Sequence, residues 1–161
     1  MLMRGGFVLA VILCLSSCAR GANHAPDLFL GRWELDAKAS RYAPGTCPKR
    51  MTIEMTMEER GVHYHSETVP ATGEPFDVDY TAKYDGRPVM VTGSRGMMLP
   101  VALTRVDVRH VKAVYSNGFQ VEATSERVLS EDGKTMTITT TSRNKSGREQ
   151  VNRGLYRLAL P

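Results

Sequence analysis

The chain has 161 residues, a formal net charge of +4, 42% hydrophobic residues and 7% aromatics, the make-up of one domain that folds without a metal or a disulfide framework. Its three cysteines, one of them inside an N-terminal apolar run, exclude a disulfide scaffold. The basic excess is spread thinly, with no basic run and no RNA-reading aromatic motif, so nucleic acid is excluded as a partner.

Arg4 gives the N-terminus a positive charge, and Phe7 to Leu15 form an apolar run of nine residues. A membrane-spanning helix needs roughly 20, so the run reads as the core of a signal peptide. Leu15-Ser16-Ser17-Cys18 resembles the lipobox of bacterial lipoproteins. The resemblance implies that residues 1–17 are removed and that Cys18 becomes the first residue, carrying diacylglycerol and acyl chains such as palmitate. A thiolate is the nucleophile that thioether formation needs, and each methylene buried in a bilayer contributes about 0.8 kcal/mol. Ala19 stands where an aspartate would hold a lipoprotein at the inner membrane, so the expected location is the bacterial cell envelope, at the outer membrane, with the membrane as partner through Cys18. Residues 18–27 contain Gly21, Ala22, Asn23 and Pro26 without apolar periodicity and read as a short tether to a domain spanning 28–161.

From Arg32 onward the apolar period is two, which predicts an all-β domain. Met51, Ile53, Met55 and Met57 alternate with Thr52, Glu54, Thr56 and Glu58, so one face of that strand is buried and the other wet. Strands are predicted over 31–36, 50–59, 61–69, 75–84, 87–92, 100–106, 109–116, 118–130, 134–144 and 149–159. Arg60-Gly61, Asp85-Gly86, Asn117-Gly118, Asp132-Gly133 and Ser146-Gly147 place glycine where hairpin turns need a positive φ, so sequence neighbours should pair antiparallel. Such a meander fits an up-and-down antiparallel β-barrel of about eight to ten strands, because closure removes exposed edges. A two-sheet sandwich is the alternative. In the loop made by Pro44, Gly45 and Pro48, Cys47 reads as a free surface thiol.

Gly31-Arg32-Trp33 matches the G-x-W pattern that opens the first strand of lipocalins and fatty-acid-binding proteins. Leu35 to Gly45, Thr81 to Gly86, Val91-Thr92-Gly93 and Arg127 to Thr137 resemble a family of small secreted bacterial lipocalin-like proteins. Together these stretches spread over most of residues 31–156. Thr46-Cys47, Val108 and Gly96 to Leu99 depart from that pattern. The resemblance implies a calycin-type barrel, lipocalin-like or fatty-acid-binding-protein-like, with Trp33 plugging one end beneath a basic residue of the last strand. Arg153 and Arg157 share a strand face, and both remain candidates for that contact. Members of the family mostly carry no assigned activity.

His63, His65 and Glu67 share one strand face, as a metal site would require. The opposite face, with Val62, Tyr64, Ser66 and Thr68, reads as the inner one, so the histidines are expected in solvent and no metal or cofactor is expected. Asp77 and Asp79 alternate with Phe76, Val78 and Tyr80 and read as solvated outer residues rather than a catalytic pair. The methionines follow strand spacing, which favours packing or an adaptable cavity over copper binding. No catalytic residue and no enzymatic activity are expected. Two function classes stay open. In the first, the barrel interior, with Trp33, Met55, Tyr80 and Met136, binds a small hydrophobic or amphipathic ligand that arrives near residues 93–100. In the second, a filled barrel acts through its surface, Met97, Met98 and Leu99 included, as an envelope assembly factor or an inhibitor.

Overall fold

A computed structural model describes residues 26–144 and 146–159, so the expected signal peptide, Cys18 and most of the expected tether lie outside the described residues. Ten strands follow in chain order: β1 (Gly31–Leu35), β2 (Arg50–Glu58), β3 (Gly61–Val69), β4 (Phe76–Ala82), β5 (Asp85–Val89), β6 (Val101–Asp107), β7 (His110–Asn117), β8 (Gln120–Leu129), β9 (Thr135–Arg143) and β10 (Glu149–Leu158). They form one antiparallel sheet in the order β4-β3-β2-β1-β10-β9-β8-β7-β6-β5. The all-β barrel expected from the alternating pattern is the fold, nearly closed, and the sandwich alternative falls.

Period-two burial builds the wall. On β3 the inward row is Val62, Tyr64, Ser66 and Thr68, all buried, while His63, His65 and Glu67 face out. On β2, Ile53 and Met55 are buried, but Met57, of the same parity, is exposed. Its placement on the buried face is corrected: it lies one residue before the end of β2, where the strand runs past the core.

The pairing of β1 with β10 sets Trp33 opposite Leu158 and Glu34 opposite Arg157. That register turns Arg157 outward, where its guanidinium lies 2.9 Å from the Asp36 carboxylate, and Arg153 is exposed as well. The expected cap on Trp33 by either arginine is therefore wrong. An arginine of β6 lies instead beside Phe29, whose carbonyl accepts from the Trp33 indole. Arg105 stacks on Tyr84 at 4.0 Å, lies 5.7 Å from the Phe29 ring and pairs with Asp27 at 2.6 Å. Asp27 is thus held against the barrel.

Trp33, Phe29, Ile53, Met55, Leu103, Val111 and Met136 are buried together at the end of the barrel where β1 starts. The Trp33 indole donates to the Phe29 carbonyl at 2.9 Å, so the one polar atom of this chain's single tryptophan is satisfied. This is the closed end.

The expected hairpin at Asp85-Gly86 does not form. Gly86 has φ 76° but lies inside β5, beside a register shift between Asp85 and Pro88 in its pairing with β6. Pro88 also lacks the N–H that a ladder needs. The seam between β4 and β5 is closed farther along by one bridge, with Asp79 and Thr92 exchanging backbone bonds of 2.8 and 2.9 Å. Gly93 permits this approach, since a Cβ there would stand 2.1 Å from the Asp77 carbonyl oxygen. At the opposite edge of β1, residues 36–49 continue alongside β10 as a loop. Arg41 and Arg153 exchange backbone bonds of 2.8 and 2.7 Å, and the Asn152 side chain accepts from the Ala43 N–H at 2.9 Å.

Trp33→Ala should cost about 3 to 5 kcal/mol, as aromatic truncations in cores do. Urea denaturation followed by far-ultraviolet circular dichroism would measure it, and a loss below about 1 kcal/mol would mean that Trp33 is not the plug.

Candidate functional site

Each inward row changes character partway up the barrel. On β3 it runs from Val62 to Tyr64, Ser66 and Thr68, on β8 from Leu129 to Arg127 and Ser125, and on β9 from Met136 to Ile138 and Thr140. The first residues of these rows pack the closed end, and the later ones surround a cavity of about 470 Å³. That is within the range of sites for single small molecules. The mouth is framed by Tyr42 and Pro48 from the 36–49 loop and by Met98 and Leu99 from the 90–100 segment. The Gly154 backbone passes under Tyr42, where a Cβ would lie 2.7 Å from the hydroxyl and 2.7 Å from the Tyr156 ring.

Arg127 decides what this space can do. It is 4% exposed, its Nη2 donates to the Tyr80 hydroxyl at 2.6 Å, and its guanidinium lies 4.9 Å from the Tyr64 ring centroid. Tyr64 and Tyr80, partners across β3 and β4, stack with centroids 4.7 Å apart and planes 10° from parallel. The Arg127 Nε has no hydrogen-bond partner, and no carboxylate pairs with the guanidinium among the described residues. Burial works against the charge, the hydrogen bond to the Tyr80 hydroxyl favours it, and a guanidinium keeps its proton throughout the physiological range. The tyrosines in turn hold their protons. Burial pushes Tyr64 up to about 12 and Tyr80 higher still. Tyr80 is neutral at any physiological pH, so its hydroxyl cannot neutralise Arg127. A buried cation without a counter-ion is costly.

Of the four residues expected to meet a ligand, Tyr80 alone lines the cavity. Trp33, Met55 and Met136 are packed solid beneath it. Met51, on the same strand as Met55, does reach the cavity and accepts a hydrogen bond from the Tyr156 hydroxyl at 3.1 Å. Sequence reasoning passed over Arg127, although its parity, between Ser125 and Leu129 and opposite to Glu126 and Val128, points it inward. Met98 and Leu99 lie at the mouth, in the stretch where a ligand was expected to arrive, and Met97 is exposed beside them. Cys47 is half-buried rather than on the open surface.

On the outer wall, His65 Nδ1 lies 2.9 Å from an Asp79 carboxylate oxygen and His63 Nε2 3.4 Å from the same atom. The Asp79 hydrogen bond raises the His65 pKa. Among the described residues no three metal-ligating side chains converge on one point. Asp79, expected to be merely solvated, thus has defined partners.

No family model matches the sequence, and no curated protein matches it. The fold is similar to that of the zebrafish ileal bile acid-binding protein solved with cholic acid, with a TM-score of 0.54 and 10% identity over 82% of this chain and 99% of that one. The likeness is one of fold, a fatty-acid-binding-protein type of calycin barrel.

Removing the charge tests whether the folded barrel compensates it. Arg127→Met keeps much of the volume and removes the unpaired cation, so the ligand-free domain should become more stable, by about 1 kcal/mol or more. A lower denaturation midpoint for Arg127→Met would mean that the guanidinium is satisfied in the folded barrel.

Proposed function

We propose that this chain is an envelope lipoprotein whose barrel binds one amphipathic molecule with an apolar body and an anionic head, as a carrier or receptor rather than an enzyme. The observation that carries this is Arg127, a buried guanidinium with no counter-ion among the described residues, facing a cavity of about 470 Å³ whose walls otherwise carry no charge. Hydroxyls and a guanidinium orient an anion, and the apolar wall takes up the tail. The structural neighbour was solved with cholic acid, itself an apolar body with a carboxylate, which supports the same ligand class here. An interior filled to the mouth, the premise of the surface-acting alternative, is not what this barrel has.

A dansyl-labelled fatty acid should bind with micromolar affinity, and its methyl ester should bind more weakly. A hydrogen bond to a charged group contributes about 1.5 to 3 kcal/mol, so Arg127→Met should weaken the acid about tenfold to a hundredfold. The same substitution should leave the ester nearly unaffected. Equal affinities of acid and ester for the unmodified protein would end the anion reading.

The anchor part of the proposal rests on Leu15-Ser16-Ser17-Cys18 and the apolar run before it. Cys18→Ser should yield protein that stays in the aqueous phase on detergent partitioning or remains uncleaved. Cleaved Cys18→Ser protein that partitions like the unmodified chain would refute the lipid anchor.

A further inference from the structure

The floor of the cavity limits which anions it can hold. Along β8 and β9, Leu129 pairs with Met136 in the packed end, Arg127 with Ile138 one inward position higher, and Ser125 with Thr140 one position higher again. Arg127 therefore lies at the bottom of the open space, and Pro48, Met98 and Leu99 border its top. Among the described residues it is the one cation lining the cavity. The ionisable side chains that face the guanidinium are tyrosines, Tyr64 from β3, Tyr80 from β4, Tyr115 from β7 and Tyr156 from β10. The phenols of Tyr64 and Tyr80 keep their protons, and a neutral phenol or a serine hydroxyl orients an anion without balancing its charge. The floor thus offers a ligand a single positive charge.

We propose that the cavity is a filter for singly charged, single-chain molecules, bound head down, and that it turns away heads with two charges and lipids with two chains. The inference rests on the anion reading given above and narrows it. A head with one negative charge makes a neutral pair with Arg127. A second charge would be carried to the same enclosed floor with no cation to meet it, and an uncompensated buried charge is costly. A phosphate monoester gives up its second proton at about pH 6, so at neutral pH most of it is in the rejected form. A carboxylate, a sulfonate or a phosphodiester carries one charge at neutral pH and above. Volume sets the other limit. At the packing density of a protein interior, a cavity of about 470 Å³ holds roughly 18 non-hydrogen atoms. One chain fits, and a lipid with two long chains would leave one of them in water. The head goes to the floor because the charge is there, and the tail is left against Met98 and Leu99 at the rim.

Displacement of the dansyl-labelled fatty acid from the full chain carrying Cys18→Ser tests the filter. Dodecyl sulfonate and dodecyl phosphate should compete about equally at about pH 5.5. By about pH 8.5 the phosphate should weaken about a hundredfold, and the sulfonate by less than about twofold. The sulfonate controls for titration of the protein's own groups, His65 on the outer wall among them. Dodecyl phosphate that matches the sulfonate at the higher pH would overturn the charge limit. Didodecyl phosphate, with one charge and two chains, should compete at least about tenfold more weakly than the sulfonate, and equal competition would remove the chain limit. Trp33, this chain's single tryptophan, is packed beneath the cavity and reports which end of the ligand is down. At saturation, 2-bromododecanoate should quench its fluorescence more than 12-bromododecanoate, and equal or stronger quenching by the latter refutes the head-down orientation. The acid and its methyl ester, compared on the same sample, keep the two readings apart. Any of these failures with the acid still preferred sinks this inference alone, whereas loss of that preference sinks the anion reading and this one with it.

Discussion

The antiparallel pairing of the first strand with the last is the contact on which the rest of the structure depends. Trp33 opposite Leu158 and Glu34 opposite Arg157 convert a ten-strand meander into a barrel and remove the edges that β1 and β10 would otherwise expose. The same register selects inward and outward sets along both strands, since a slip of one residue would reverse every side chain. It places Trp33 in the closed end and sends Arg157 to Asp36 on the outer wall, where its guanidinium holds the Asp36 carboxyl below the usual carboxylate range. Because β1 is only five residues long, β10 outruns it, and the spare edge of β10 is taken by the 36–49 loop. That loop carries Tyr42 and Pro48 to the mouth. The short first strand therefore fixes both where the barrel is sealed and where it stays open.

The packed core and the cavity occupy different levels of the barrel. At the closed end the inward side chains are large and apolar, and they bury together with the indole N–H satisfied by Phe29. Higher up, the inward side chains become shorter and hydroxylated, and the interior is left unfilled. A ring of ten strands encloses more space than one layer of side chains fills unless the residues are bulky, so Ser66, Ser125 and Thr140 leave room there. Arg127 lies at the boundary between the levels, held from one side by the Tyr80 hydroxyl and from another by the Tyr64 ring. The packed lower half lies beneath it, and the cavity opens above it.

The ten strands were legible because alternation is read from the local chain, and each strand of the fold lies within a few residues of its predicted limits. The row Met51, Ile53, Met55 was likewise legible as inward. Three features were not, each for a physical reason. The failure of the β4–β5 hairpin depends on Gly86 and Pro88 acting inside a strand, where Asp85-Gly86 has the same composition as a genuine turn. The arginine beside Phe29 and Tyr84 comes from β6, and parity within β10 carries no information about a residue so far along the chain. The height at which packing gives way to a cavity depends on how deep each inward residue sits. Period two assigns a face but not a depth, and for that reason it sets Tyr80, which lines the cavity, in one inward group with Trp33, Met55 and Met136, which are packed beneath it. Arg127 was visible in principle, since a basic residue at an inward position breaks the binary pattern, and such breaks are expected at functional sites.

The seam between β4 and β5 ties the wall of the barrel to its mouth. Asp79 and Thr92 hold the two edges through a pair of backbone bonds. The chain leaving Thr92 passes Gly93 against the Asp77 carbonyl and comes back with Met98 donating to the Val91 carbonyl at 2.8 Å. Val91 is buried in the core cluster, whereas Met98 and Leu99 line the cavity. One stretch of about ten residues thus completes the wall and rims the opening, with no ladder between β4 and β5 to support it. Backbone bonds of this kind contribute about 1 kcal/mol each, so moving the stretch aside costs far less than parting a full strand pair. In the binding role proposed for the barrel, any widening of the mouth at this stretch would be opposed by those few bonds and by the burial of Val91.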